Sequence, residues 1–208
     1  MKDVVFRLWG PEMCFSRPES DIERITYQVI TATAILGVMV AIYAKLRQFV
    51  WRVRKYEVLT EPKIMTMRFN ELSAPPSLKN VDRFFVEEHR TQRYTQILKN
   101  QVYVIHAYPV IRGEPSTTNN VQKHIKIFNR RIQTGACFYR PCGGLSDFPV
   151  FFGEANPDEK PIAQTADLGP MPWYVEYNPK TNAWIRAQFY NAKLENGVVH
   201  VPEVPYVY

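Results

Sequence analysis

Lys123 and His124 stand side by side after the turn-rich run Arg112-Gly113-Glu114-Pro115-Ser116-Thr117-Thr118-Asn119-Asn120. From Val121 to Gln133 the apolar residues Ile125, Phe128 and Ile132 recur at helical spacing, and Gly135 follows just past the end. With Asn120 as the N-cap, Lys123 and His124 fall in the first turn. Free backbone N–H groups and the positive end of the helix dipole favour a phosphate there, and Lys123 adds a formal charge. An imidazole near this end is disfavoured as a cation, and a neutral imidazole can accept or deliver a proton. Lys123 would stabilise charge on a phosphorane. Together these are the groups that metal-free RNA cleavage needs when a 2′-hydroxyl attacks the neighbouring phosphorus. The competing reading is a solvated lysine beside a histidine packed under the cap. Adjacent helical residues point about 100° apart, and helix geometry alone favours that second reading.

Other chemistries lack their usual supports. Cys137 and Cys142 have no second pair, and His89, His106, His124 and His200 show no HExxH or paired spacing, so neither a metal nor a cofactor is expected. There is no P-loop, no GxGxxG and no GxSxG, which argues against nucleotide hydrolysis, dinucleotide redox chemistry and serine hydrolysis. The three cysteines, Cys14 included, are too few for a disulfide framework and no secretory leader opens the sequence, so the expected location is cytoplasmic.

The 208 residues, 46% hydrophobic and 13% aromatic, are enough for a sizeable core. Charge is uneven along the chain. Residues 1 to 149 carry 22 Lys and Arg against 13 Asp and Glu, whereas residues 150 to 208 carry 4 against 7. A basic body with an acidic tail suits a polyanionic partner, because cations that neutralise phosphates release condensed counterions. A well-solvated surface accounts for the same charge equally well.

The elements that must position these groups follow from periodicity. Val4 to Trp9 reads as a strand stopped by Gly10-Pro11. Tyr27 to Ala44 carries no charge, but it is short for a bilayer span of about 20 residues and is diluted by Gln28, Thr31, Thr33 and Gly37. A buried helix over Thr33 to Arg47 is expected instead, with Ile35, Val38, Met39, Ile42 and Leu46 on one face and no membrane partner. Phe49 to Leu59 and Ile64 to Phe69 alternate as strands, Ala74 to Arg93 reads as an excursion, and Val102 to Ile111 as a central strand. Past Phe148 the chain turns proline-rich, with strands expected near Trp173 to Tyr177, Trp184 to Tyr190 and Gly197 to Val201. This order is close to an α+β, ferredoxin-like βαββαβ plan over residues 1–150, with a small β-rich extension over 151–208.

Several ordered stretches then resemble a known family. Phe15-Ser16-Arg17-Pro18-Glu19, Glu23-Arg24-Ile25-Thr26-Tyr27 and Ala41-Ile42-Tyr43-Ala44-Lys45 resemble the N-terminal signature of the CRISPR-associated Cas-five family, subtype d, of type I-C systems. Arg90-Thr91-Gln92-Arg93 leading to Leu98-Lys99-Asn100 and Tyr103 is similar to its middle motif, and Lys123-His124 with Ile127-Phe128-Asn129-Arg130-Arg131 to its second-helix motif. Gly135-Ala136-Cys137-Phe138, Pro141, Gly144 and Asp147-Phe148-Pro149 resemble its glycine-rich segment. Two departures stand out: Ala44-Lys45-Leu46 replaces the usual Trp-Lys-Pro, and Ser146-Asp147-Phe148 replaces Arg-Glu-Phe.

The resemblance implies a ferredoxin-like (RRM-like) body and metal-independent cleavage of precursor CRISPR RNA within the repeat, giving a 2′,3′-cyclic phosphate. The protein would then stay on the guide as a subunit of a type I-C surveillance complex. It puts the catalytic Tyr, Lys and His of the family on Tyr43, Lys123 and His124. Lys45, Arg47, Lys126 and Arg130 near that site are the expected RNA-binding residues, and Arg17, Arg90 and Arg93 in the motifs either bind RNA or tie loops to the body through carboxylates such as Glu19 and Glu23. Phe138 and Tyr139 either stack on an unpaired base or pack into the core. The runner-up function is a non-catalytic RNA-binding scaffold.

Overall fold

The structure, a computed structural model, describes residues 3–20, 22–73, 85–177 and 184–203. In chain order the elements are β1 (Val4–Met13), α1 (Ala32–Ile42), β2 (Phe49–Val58), β3 (Ile64–Leu72), a 3-10 turn (Val86–His89), β4 (Arg90–Ile111) and α2 (Val121–Thr134). Four further strands follow: β5 (Phe151–Gly153), β6 (Ala166–Tyr177), β7 (Trp184–Glu195) and β8 (Val198–His200). All eight strands form one sheet in the order β5-β1-β4-β2-β8-β7-β6, with β3 following β2 along β4. Each named pair is antiparallel. Among the described residues the result is a mixed fold of two α-helices on a mostly antiparallel sheet.

Strand alternation decides where the helices sit. Val4, Phe6 and Leu8 of β1 and Phe49, Trp51 and Val53 of β2 are buried while the residues between them are not. The amphipathic α2 answers with Ile125, Phe128 and Ile132. Its Phe128 ring meets Phe6 edge-on at 5.4 Å and Trp51 at 4.7 Å. Full burial of a side chain of this size contributes about 1.5–3 kcal/mol, so this aromatic row fixes how α2 lies on the sheet. The α1 helix is more uniformly apolar and packs against β2 and β6.

Three expectations are corrected. Strand β1 does not stop at Gly10-Pro11 but runs to Met13, because the ladder to β4 passes from Gly10↔Gln101 to Glu12↔Lys99 and β5 pairs only with Arg7 to Trp9, so Pro11 is paired on neither side. Helix α1 ends at Ile42 rather than Arg47, and Leu46 is exposed. The central strand starts at Arg90, twelve residues before Val102, and its first half pairs with β3 from Leu72↔Arg90 to Ile64↔Leu98. Of the expected excursion, residues 74–84 lie outside the described residues. No helix among the described residues is long and apolar enough to cross a membrane.

Candidate active site

The end of α1 is built to present Tyr43. Its N–H still bonds Met39 O at 2.8 Å, but its own backbone is extended, with φ −157° and ψ 123°. The carbonyls this leaves open are met by side chains from other elements. Trp51 Nε1 donates to Tyr43 O at 2.8 Å, and Arg131 of α2 donates to Ile42 O at 2.6 Å. Such partners satisfy a helix end that would otherwise hide bare acceptors. The Arg131 guanidinium also lies 5.3 Å from the Tyr43 ring centre and 4.2 Å from that of Phe138.

From α2 comes His124, four residues past the Asn120 cap. Asn120 Oδ1 accepts from Lys123 N at 2.9 Å, and the helix closes on Gly135 in the left-handed region, as the sequence pattern predicts. His124 is fully buried. Its Nδ1 lies 3.0 Å from the Tyr43 hydroxyl, and its Nε2 lies 2.9 Å from Asn119 Oδ1. The ring stacks on Phe49 with centroids 4.1 Å apart at 30°. Burial pushes the His124 pKa below its ordinary value, and the positive charges of Lys123 and Lys45 push it further the same way. Burial raises the Tyr43 pKa, partly offset by Arg131.

Two loops frame this pair. Lys45 O accepts from both Gln48 N (2.7 Å) and Phe49 N (3.1 Å), which turns the chain from Tyr43 into β2. The loop after β4 is tied to that turn by Arg112, whose N–H donates to Gln48 O and whose side chain donates to Leu46 O, both at 2.8 Å. Lys123 reaches back along the second loop, its Nζ donating to Thr118 O at 2.8 Å.

Of the residues singled out by sequence, Tyr43 and His124 are thus in contact, Lys123 precedes His124 on α2 with its Nζ turned to Thr118 O, and Lys45 and Arg47 are exposed on the turn after Tyr43. Lys126 and Arg130 are exposed on α2, and the spacing from Lys123 puts all three on one stripe. Arg17, Arg90 and Arg93 are not with them. Arg90 and Arg93 are among the first four residues of β4, at the far end from Ile111, which pairs with Phe49. Arg93 pairs at 3.4 Å with Glu71, which Arg24 also holds, and Arg17 pairs at 3.4 Å with Glu19 while lying over the Tyr27 ring. Phe138 and Tyr139 are exposed.

Asn119 and Phe49 complete the site without having been predicted for it, and Arg131 completes it as one of the basic residues expected near it. Arg131 was legible only as one more basic residue of the helix, and Phe49 as the first residue of a strand. Asn119 carried the weak signal of an Asn-Asn doublet before a helix, which marks a cap but not which of the two faces the imidazole. Among the described residues there is no group of three or more His, Cys, Asp or Glu arranged to hold a metal ion.

Comparison with known proteins covers nearly the whole chain. The family model described as "CRISPR-associated protein (Cas_Cas5)", subtype Cas5d, matches residues 3–202. The "CRISPR pre-crRNA endoribonuclease Cas5d" of Mannheimia succiniciproducens is 33% identical over 217 residues, covering 96% of this chain and 94% of its own. The protein of the same description from Thermus thermophilus is 29% identical over 221 residues, covering 99% and 94%. A solved structure titled "Crystal Structure of CRISPR-associated Protein" shares the fold with a TM-score of 0.71 at 20% identity, over 97% of this chain and 92% of that one. The match runs through both helices and the sheet that places Tyr43 against His124, and on it the chain belongs to the CRISPR-associated Cas5d family.

Proposed function

We propose that this protein is a metal-independent endoribonuclease that cleaves precursor CRISPR RNA within the repeat and stays bound to the guide RNA as a subunit of a type I-C surveillance complex. The observation that carries the reading is the Tyr43–His124 contact beside Lys123, in a chain whose curated relatives are named for cleaving pre-crRNA. In the reaction, a ribose 2′-hydroxyl attacks the adjacent phosphorus and loses its proton as the P–O5′ bond breaks and the 5′-oxygen takes a proton. The products are a 2′,3′-cyclic phosphate and a free 5′-hydroxyl. Tyr43 meets and orients the 2′-hydroxyl, His124 is the acid/base group coupled to it, and Lys123 stabilises the phosphorane charge after releasing Thr118 O. Tyr43 and His124 are covered, so productive docking includes a local opening at the two framing loops. Lys45, Arg47, Lys126 and Arg130 track the RNA backbone. Arg17, Arg90 and Arg93 form a second set at a distance, and Arg17 and Arg93 must leave Glu19 and Glu71 to join it.

For the fold, we read the order β5-β1-β4-β2, with α1 after β1 and α2 after β4, as a ferredoxin-like (RRM-like) βαββαβ body over residues 1–150. Residues 151–208 then supply β5 as its last strand and add β6 to β8 as a β-rich extension.

The complete burial of His124 favours a second reading, a non-catalytic scaffold that binds guide RNA and does not cut it. One experiment separates them. The purified protein is incubated with its cognate repeat RNA in excess EDTA, beside Tyr43→Phe, Lys123→Ala and His124→Ala variants and an RNA with a 2′-deoxy group at the cut site. Cleavage by the wild type alone, blocked by the deoxy substitution, supports the ribonuclease. Tight binding without cleavage supports the scaffold, and no binding to the repeat overturns both.

A further inference from the structure

Neutral imidazole has one nitrogen that donates and one that accepts, and which is which follows from the neighbours that cannot change roles. Asn119 is such a neighbour. Its Nδ2 donates to the backbone carbonyl of Gln48 at 3.3 Å, which turns Oδ1, a pure acceptor, onto His124 Nε2 at 2.9 Å. Nε2 therefore carries the proton, and Nδ1 presents its lone pair to the Tyr43 hydroxyl 3.0 Å away. The ring cannot turn to exchange the two, since it is fully buried against Phe49.

We propose that Asn119 is a positioning residue for cleavage, whose side-chain carbonyl fixes the proton on His124 Nε2 and so aims the Nδ1 lone pair at Tyr43. This deepens the ribonuclease reading and rests on it for its catalytic consequence. Tyr43 can take the 2′-hydroxyl proton only as it hands its own to Nδ1, and that hand-over requires Nδ1 to be unprotonated. The opposite tautomer would make Nδ1 a donor and reverse the direction of the Tyr43 hydrogen bond. The charged groups acting on His124 are Lys123 and Lys45, both of which disfavour a second proton, and Arg131 lies behind the Tyr43 ring. Asn119, being neutral, fixes the tautomer without adding a carboxylate that would favour the cation.

The test uses the full chain with nitrogen-15 labelled histidine and needs no RNA for its first readout. Wild type should show His124 as the Nε2–H form by imidazole NMR, identified by its loss in His124→Ala. Asn119→Ala should give mixed tautomers, and Asn119→Asp, which keeps the acceptor but loses the donor to Gln48, should restore the Nε2–H form. Cleavage by Asn119→Ala should fall about ten- to a hundredfold in kcat with KM little changed, the size of effect seen for partners that orient a metal-bound imidazole. In Asn119→Asp the acidic limb of the kcat profile should move to higher pH. An unchanged tautomer in Asn119→Ala, or an Asp variant that behaves like Ala in the NMR, overturns the proposal and leaves Asn119 as a loop tie. If the tautomers respond as stated while the wild type fails to cut its cognate repeat, the assignment of Asn119 stands and the ribonuclease reading falls.

Discussion

His124 Nδ1 and the Tyr43 hydroxyl meet at 3.0 Å across 81 positions of sequence, one from the first turn of α2 and the other from the residue that ends α1. Both side chains are buried, so the contact is held by packing on Phe49 as much as by the hydrogen bond. Tyr43→Phe keeps the ring and removes only the oxygen. Single-turnover cleavage should fall about 10²–10⁴-fold, the usual contribution of a positioned proton-transfer group. Stability should fall by about 1–3 kcal/mol because Nδ1 is left without a donor. Denaturant melts beside the rate measurement check both, and an unchanged rate would remove Tyr43 from the mechanism.

The depressed pKa of His124 has a consequence for stability. A histidine held neutral by folding contributes stability in full above its ordinary value of 6.5, where folded and unfolded chains are both unprotonated. As the pH falls below that value the unfolded chain takes up a proton that the folded chain refuses, and the contribution is lost progressively through the lower folded pKa. His106, also lowered by burial and by Lys55 against the opposing pull of Glu57, adds to the same slope. Melting temperature should therefore drop between pH 6.5 and 5, and His124→Gln should flatten that drop.

Lys123 and Asn120 lie three residues apart and should separate cleanly. Asn120→Ala removes the acceptor of Lys123 N and should cost about 1 kcal/mol of stability. Lys123→Ala leaves that backbone bond intact, so thermal melts should be nearly unchanged while cleavage slows. A Lys123→Ala protein that cuts at the wild-type rate would limit the residue to surface charge.

The basic residues divide by whether a carboxylate already holds them. Lys126→Ala and Arg130→Ala should each weaken repeat binding and lower the salt dependence by close to one counterion. Arg17→Ala and Arg93→Ala should do less, because Glu19 and Glu71 must be released before either arginine can serve a phosphate. Binding titrations from 50 to 200 mM salt read all four, and equal effects would contradict the division.

Gly144 is irreplaceable for a steric reason. Its φ is +93°, and a Cβ built there would come within 1.8 Å of the Cys14 carbonyl oxygen. Next to it, Gly143 O accepts from Cys14 N at 2.8 Å, so the glycine-rich segment is clamped onto the end of β1. Gly144→Ala should cost about 2–4 kcal/mol, with backbone strain and displacement of β1 both contributing. Chemical denaturation measures it directly.

How much of this could be read from residues alone depended on whether burial or pairing held each element. Strand β2 and helix α2 were legible because their inner faces are apolar at regular spacing, and the Asn120 and Gly135 caps marked the helix ends. The first half of β4 was not, because Arg90-Thr91-Gln92-Arg93 has no apolar face and is held by its ladder to β3. The end of α1 was misplaced because Leu46 continued the helical spacing, while what stops the helix are Trp51 and Arg131, distant in sequence. Lys123 and His124 announced a phosphate site through their place after the cap. Tyr43 came into view through family resemblance, since nothing near it in sequence tells a tyrosine at a helix end what it will face. Asn119 needed the fold, because its partners belong to a turn 71 residues away and to the helix that follows it.

The pairing of β8 with β2 sets a constraint on how the chain is made. Lys55 to Glu57 have no neighbour on that side until Val198 to His200 arrive. During synthesis this edge waits through some 140 residues of translation, and an unpaired strand edge is a template for association with other chains. Products truncated before β8 should therefore be sticky rather than merely shortened, and the β2 edge should be covered only once β8 has left the ribosome.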